Sequence, residues 1–101
     1  METFEKKYNN GSLSILINDD SVGLTNLNDL NNIVTSELNT DCKHIEIDFA
    51  NVNSINSSGL GILIACLKKV KSANKDLRLV NLNDKILNVF KITKLDTVFG
   101  L

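Results

Sequence analysis

The chain has 101 residues, of which 43% are hydrophobic and 23% charged, and its formal net charge at pH 7 is −1. This size and balance predict one soluble globular domain spanning residues 1–101, and the near-neutral charge argues against a protein that binds nucleic acid irrespective of sequence. The longest apolar run is too short to span a bilayer, and the N-terminus lacks the apolar stretch of a signal peptide. We therefore expect a cytoplasmic protein that does not insert into membranes.

The cysteines and the single histidine offer little chemistry. Cys42 and Cys66 lie far apart in dissimilar contexts, and with His44 they predict neither a disulfide framework nor a metal site. No Ser-His-Asp or Cys-His arrangement can be argued from so few residues. The sequence therefore predicts that the protein is not an enzyme and that it needs no metal or cofactor.

Two alternating segments near the N-terminus predict a β-hairpin. Residues 3–8 and Ser12–Ile17 form its strands, and Asn9-Asn10-Gly11 forms its turn. A helix follows over residues 25–38, where apolar residues recur at helical spacing. Thr25 or Asn26 is its predicted N-terminal cap.

The second half of the chain alternates strands and helices. Its predicted elements are a strand at 44–50, a helix at 58–73, a strand at 77–82, a short helix capped by Asn83 or Asp84, and a short strand or packed tail at 95–101. Strands separated by helices indicate parallel pairing through right-handed crossovers. The predicted fold class is therefore α/β: two layers, with a mixed central β-sheet and helices mainly on one face.

The most informative segment is the polar turn between the third predicted strand and the next helix. In it Asn56, Ser57 and Ser58 stand where unpaired N–H groups and a partial positive charge favour a hydroxyl cap or a phosphate. Capping is the ordinary role of a serine at such a place. Gly59 and Gly61 each cost about 1 kcal/mol of helix stability relative to alanine. That cost is reasonable if a partner must approach the backbone closely.

The helix after this turn carries two stripes of side chains. The first stripe predicts a core face and consists of Leu60, Leu63, Leu67 and Val70. The second stripe consists of Ile62, Ala65, Cys66 and Lys69. Two interpretations of the second stripe remain open: it packs against neighbouring helices, or it forms a partly exposed patch that binds a partner.

The segment Ser54-Ile-Asn-Ser-Ser-Gly-Leu-Gly61, followed by Ile62-Leu-Ile, resembles the signature turn of the STAS domains of bacterial anti-anti-sigma factors. Residues 43–52 resemble the central strand of that family, and residues 77–82 and 86–95 resemble its closing strand and helix. The resemblance covers nearly the whole chain from about Leu13, and it implies a STAS-like fold. The serine that is phosphorylated in the family maps onto Ser57, which leaves Ser58 as the predicted helix cap.

The resemblance also implies a function and partners. The unphosphorylated protein would act as an anti-sigma factor antagonist: it would sequester a serine kinase of the histidine-kinase-like ATPase superfamily that doubles as an anti-sigma factor. Phosphorylation of Ser57 would end the binding, and a PP2C-type phosphatase would restore it. The predicted switch turn and partner surface around Ser57 comprise Asn56, Ser58, Gly59, Leu60, Gly61, Ile62, Ala65 and Cys66.

Two departures from the family pattern support an alternative. Asn56 stands where the family has an aspartate, so one negative charge beside the acceptor is missing. The loop at residues 18–23, which in the family lies near the phosphorylated serine, lacks the family's Gly-Glu-x-Asp pattern. The alternative function is a constitutive STAS adaptor subunit of a transporter or signalling scaffold.

Overall fold

The computed structural model describes residues 4–22 and 24–101, and its elements follow the predicted order with two additional short strands. The strands are β1 (Phe4–Asn9), β2 (Ser12–Ile17), β3 (Ser21–Val22), β4 (His44–Asp48), β5 (Ser54–Ile55) and β6 (Asp76–Val80). The helices are α1 (Leu24–Glu37), α2 (Ser57–Ser72) and α3 (Asp84–Ile92).

Four strands form a mixed sheet in the order β1-β2-β4-β6, which confirms the predicted architecture. β1 is antiparallel to β2, whereas β4 is parallel to both β2 and β6. The β1–β2 hairpin turns through Asn10 and Gly11, whose φ angles of 48° and 81° are the left-handed values of a tight two-residue turn. Thr3, the first residue of the predicted hairpin, lies outside the described residues.

One face of the sheet is buried beneath the helices. Alternate residues of β2, β4 and β6 point to that face, and their exposures are between 0% and 5%: Leu13, Ile15, Ile17, Ile45, Ile47, Leu77 and Leu79. All three helices contribute to the same core, for example through Leu30, Leu63 and Phe90. The opposite face of the sheet carries polar and charged side chains such as Glu46 and Arg78. Helices therefore cover one face only.

The start of α1 differs from the prediction. The helix begins at Leu24, so Thr25 and Asn26 lie within its first turn. The prediction that one of them is the cap is wrong, because a cap residue has an extended rather than a helical backbone. At α3 the cap is Asn83 and not Asp84: the Asn83 side-chain oxygen accepts a hydrogen bond from the backbone N–H of Ile86 at 2.8 Å.

The last seven residues form a packed tail, the second of the two predicted alternatives. Phe99 is buried, and its ring packs edge-to-face against Phe90 of α3 with 5.5 Å between ring centroids. The backbone N–H of Leu101 donates to the carbonyl of Asp96 at 2.7 Å. These contacts hold the tail beside β6 without adding a strand to the sheet.

Candidate functional site

The turn before α2 is held by Asn56, which caps the helix. Its backbone is extended, with φ −103° and ψ 174°, and its side-chain oxygen accepts a hydrogen bond from the backbone N–H of Gly59 at 2.8 Å. The prediction that Ser58 caps α2 is wrong. The helix begins one residue earlier than predicted, at Ser57, so Ser58 already has a helical backbone.

Ser57 is therefore the first residue of α2, and its side chain is exposed, as is that of Ser58. Neither hydroxyl makes a hydrogen bond within the described residues 4–22 and 24–101. The first turn of α2 carries no acidic side chain. The Ser57 hydroxyl thus projects from the positive end of a helix dipole, where a negatively charged group is stabilised.

The loop at residues 18–22 lies against this turn, as the family resemblance implies. The backbone carbonyl of Asp20 accepts hydrogen bonds from the N–H groups of Asn53 at 2.7 Å and Ser54 at 3.2 Å. The side-chain amide of Asn53 also donates to the Asp20 carboxylate. Strand β3 then pairs in parallel with β5, which leads directly into Asn56. These bonds hold in place the strand that leads into the turn.

The two glycines of the turn have different environments. Gly59 is buried, so the expectation that it gives a partner access to the backbone is wrong. Gly61 is exposed, and a Cβ atom built on it would meet no other atom within 4 Å. The difference arises because residues two apart point to nearly opposite sides of a helix. Of these two glycines, only Gly61 is exposed to solvent.

Two of the predicted partner-binding side chains belong to the core. Leu60 is 8% exposed and Cys66 is fully buried, so neither can contact a partner without rearrangement. The Cys66 sulfur lies 3.6 Å from the side-chain oxygen of Asn31 on α1. Burial raises the pKa of the Cys66 thiol to about 11, against a smaller opposing effect of Lys69. Cys66 is a packing residue of the α1–α2 interface.

The second stripe of α2 lies against α1, although part of it is also exposed to solvent. Lys69 donates hydrogen bonds from its ammonium group to the side-chain oxygens of Asn31 at 3.0 Å and Thr35 at 3.3 Å. Ile62 and Ala65 are half-buried beside this contact. Of the two interpretations of this stripe, packing against a neighbouring helix is correct for Cys66 and Lys69.

A different stripe of α2 faces solvent next to the turn. We call it the outer stripe; it comprises Ser57, Gly61, Ile64 and Lys68, which follow one another at helical spacing. Ile64 is half-buried, and the other three residues are exposed. Sequence reasoning missed Ile64 and Lys68 as parts of this surface. Counting seven and eleven residues onward from Ser57, which is two and three helical turns, would have found them.

Two kinds of feature are absent from the part of the chain that the structure describes. Across residues 4–22 and 24–101, no group of three or more His, Cys, Asp or Glu side chains could hold a metal ion. Within the same residues, no helix combines the length and apolar character that crossing a membrane requires.

Comparisons with known proteins concern the chain as a whole. A family model of the STAS domain matches residues 7–101. An anti-sigma-B factor antagonist of Staphylococcus aureus is 28% identical over 67 residues, which make up 66% of this chain but only 62% of that protein. The chain therefore spans about three fifths of this curated relative.

Solved structures share the fold over nearly the whole chain. The NMR structure of the Thermotoga maritima protein TM1081 has a TM-score of 0.83 at 26% identity and covers 97% of this chain and 78% of that one. The Bacillus cell fate determinant SpoIIAA in its phosphorylated form has a TM-score of 0.72 at 14% identity, with 93% and 86% covered. At such low identity the second likeness concerns the fold alone.

Proposed function

Because the chain belongs to the STAS domain family, we propose that it is an anti-sigma factor antagonist whose binding to a partner protein is controlled by phosphorylation of Ser57. The observation that carries this proposal is that Asn56, and not Ser57, caps α2. The exposed Ser57 hydroxyl is therefore available for modification. The partner is an anti-sigma serine kinase of the histidine-kinase-like ATPase superfamily. A PP2C-type phosphatase removes the phosphate.

The outer stripe is the surface that we propose for this partner. From Ser57 to Lys68 it extends about 16 Å along α2, at a rise of about 1.5 Å per residue. The absence of a side chain at Gly61 allows the partner's backbone to come close to the helix. Ile64 supplies apolar contact area, and Lys68 supplies a charge at the far end.

Phosphorylation would act on the interface and not on the fold. A phosphate adds about −1.5 to −2 charges at neutral pH, and the start of α2 tolerates them because its dipole and N–H groups favour an anion. The partner, in contrast, would face a bulky dianion at the rim of its contact surface. A loss of about 4 kcal/mol there weakens binding roughly a thousandfold.

The same fold is found in a protein with and without phosphate. The structure of SpoIIAA in its phosphorylated form has the fold found in this chain, and so does the structure of its unphosphorylated form. This agreement supports a switch that changes surface charge while the chain keeps its fold.

Binding measurements with charge variants test the proposal. We expect Ser57→Asp to weaken binding of the kinase by roughly a hundredfold, whereas Ser57→Ala binds like the wild type. Ser36→Asp is the matched control, because Ser36 is an exposed serine on α1, outside the outer stripe, and should leave the affinity nearly unchanged. Equal binding by Ser57→Asp and Ser36→Asp, measured by titration calorimetry, would contradict the switch.

A constitutive adaptor is the second candidate, and Asn56 is the observation that favours it. The amide leaves the acceptor serine without the family's neighbouring carboxylate. An adaptor would bind the ATPase subunit of a transporter, or another scaffold component, with the same affinity whether residue 57 is serine or aspartate. The Ser57→Asp titration therefore separates the two functions.

A further inference from the structure

The outer edge of the sheet at β6 is unpaired. β6 pairs with β4, and none of the strands in residues 4–22 and 24–101 pairs with it on the other side. The N–H of Asp76 donates to a carbonyl that precedes β4 at 2.9 Å, and the carbonyl of Val80 accepts from the residue after β4 at 3.0 Å. Backbone groups alternate between the two edges of a strand, so Leu77 and Leu79 direct theirs away from the sheet.

A groove of about 600 Å³ runs along this unpaired edge. Leu67 and Lys71 of α2 form one wall, and Val98 and Leu101 of the tail form the other. Val98 is 51% exposed and Leu101 39% exposed, so apolar side chains line the opening. Such a volume lies within the range of about 300–1,000 Å³ that is usual for binding clefts.

The tail wall is fixed in place and does not depend on a ligand. Phe99 anchors it through its edge-to-face contact with Phe90 in the core. The N–H of Phe99 also donates to the carbonyl of Leu95 at 3.1 Å, and that of Leu101 to the carbonyl of Asp96 at 2.7 Å. A preformed groove loses little entropy when a ligand enters it.

Basic side chains outnumber acidic ones at the groove. The ammonium of Lys71 lies 3.6 Å from one Asp76 carboxylate oxygen, and the guanidinium of Arg78 lies 4.0 Å from the other. Two cations thus share one carboxylate, and the Arg78 side chain is 76% exposed. Such a surface attracts an additional negative charge.

We propose that this groove binds an extended, acidic segment of another protein, which joins the sheet as a strand beside β6. The outward N–H and C=O groups of Leu77 and Leu79 would form the main-chain hydrogen bonds of strand addition. Alternate side chains of the segment would contact Leu67 and Val98 on the helix side of the sheet. The side chains between them point to the open face, where an acidic group meets Arg78.

A second copy of this chain fits the groove less well than a flexible segment. Its β6 strand would arrive with its own α2 and tail, so the walls of the two grooves would lie against each other. Arg78 also stands in the middle of the strand, and a charge at that place opposes edge-to-edge pairing of identical sheets.

The groove is independent of the proposed phosphorylation switch. Lys71 is about 20 Å from Ser57 along α2, at a rise of about 1.5 Å per residue. The groove would be present even if Ser57 were never phosphorylated. The chain would then bring two proteins together, one at the start of α2 and one at the edge of the sheet.

Peptide titration monitored by NMR tests the groove. The probe is a blocked peptide of about seven residues that alternates valine with glutamate, and the comparison peptide alternates valine with lysine. We expect the glutamate peptide to shift the amide signals of Leu77 and Leu79 and to slow their hydrogen exchange about tenfold at saturation. The lysine peptide should bind at least about tenfold more weakly. Of two glutamate peptides, each N-methylated at one of the two alternate sets of amides, the one whose methyl groups face β6 should lose binding to the same extent, and the other should retain it.

A charge reversal on the protein gives the matched comparison. Arg78→Glu should reverse the preference in favour of the lysine peptide, whereas Lys85→Glu, an exposed charge change on α3, should preserve it. Ser57→Asp should leave the affinity for the glutamate peptide within about twofold, which keeps this test separate from that of the switch. The proposal would be overturned if Leu77 and Leu79 showed no shifts, or if both N-methylated peptides bound as tightly as the unmethylated glutamate peptide. It would also be overturned if the same signals shifted with protein concentration in the absence of peptide, because the edge would then bind a second copy of the chain.

Discussion

At the scale of single residues, Asn56 determines what Ser57 can do. The hydrogen bond from the Gly59 N–H to the Asn56 side chain satisfies the first turn of α2, so the serine hydroxyl is not needed as a cap. An aspartate would accept the same bond and add a favourable charge at the positive end of the helix. Asn56 therefore preserves the geometry of the turn at a small cost in stability.

Removal of this cap should destabilise the protein. We predict that Asn56→Ala lowers the free energy of unfolding by about 1 kcal/mol, as measured by urea denaturation, whereas Asn56→Asp keeps or slightly raises it. Asn88→Ala, an exposed asparagine in the middle of α3, is the control and should change stability by less than about 0.5 kcal/mol. Equal stability of Asn56→Ala and wild type would show that Asn56 is not an effective cap.

Tyr8 offers a second test at residue scale. Its hydroxyl donates a hydrogen bond to the carboxylate of Glu37 at 2.5 Å, and this bond is the main cause that raises the Tyr8 pKa above its ordinary value of 10.0. Deprotonation would lose the bond and bring two negative charges together. Stability from this contact is present at neutral pH and is lost as the pH rises above 10 through the raised pKa.

This raised pKa can be measured directly, because Tyr8 is the single tyrosine of the chain. We expect ultraviolet titration of the tyrosinate to give a pKa above 10 in the wild type and a lower value in Glu37→Gln. Glu46→Gln, a carboxylate on the open face of the sheet, serves as control and should leave the titration unchanged. Identical curves for the wild type and Glu37→Gln would refute the proposed cause.

At the scale of elements, α2 combines a packing face with an exposed face that we propose for recognition. Leu63, Cys66 and Val70 are fully buried against the sheet and α1, whereas the outer stripe faces solvent. Gly61 lies on the outer stripe and weakens the helix, since glycine costs about 1 kcal/mol relative to alanine in a helix. We attribute this cost to partner recognition.

Substitution of Gly61 by alanine should change protein stability and partner binding in opposite directions. We predict that Gly61→Ala raises the free energy of unfolding by about 0.5–1 kcal/mol, because its new methyl group meets open space. The same variant should bind the kinase at least about tenfold more weakly. Ser72→Ala, at the exposed end of the helix, should alter neither quantity much. Unchanged kinase binding by Gly61→Ala would remove Gly61 from the interface.

Sequence patterns predicted the long elements well and the short ones poorly. Alternation in β2 and β4 and helical spacing in α1 and α2 extend over enough residues to identify each element and its buried face. Strands β3 and β5 have two residues each, which is too short for any period to show. Three consecutive polar residues can cap α2, so the sequence left the first residue of the helix uncertain by two positions.

At the scale of the whole molecule, long-range packing decides which predicted site residues are accessible. Cys66 belongs to a stripe that sequence alone left open between packing and partner binding. Its contact with Asn31 joins residues that are 35 positions apart, and no local pattern contains that information. The structure leaves Ser57 exposed at the turn before α2, whereas α1 and the core cover Leu60 and Cys66.

Burial of both cysteines makes thiol labelling a reporter of global opening. Cys42 and Cys66 are both buried and free. We expect Cys66 in the native protein to react with a thiol reagent at least about a hundredfold more slowly than in urea, since it must await unfolding and its thiol pKa is raised to about 11. Labelling of Cys66 at the unfolded rate in native buffer would show that the α1–α2 interface opens readily.

The central claim concerns Ser57, and phosphorylation mapping tests it most directly. The chain is incubated with ATP and the anti-sigma kinase encoded nearest to it, its phosphate is located by mass spectrometry, and binding of the modified protein is measured. We predict phosphate on Ser57, no phosphate in Ser57→Ala, normal phosphorylation in Ser58→Ala, and loss of kinase binding after modification. A chain that stays unmodified, carries phosphate elsewhere, or binds the kinase equally well after phosphorylation of Ser57 would contradict the account.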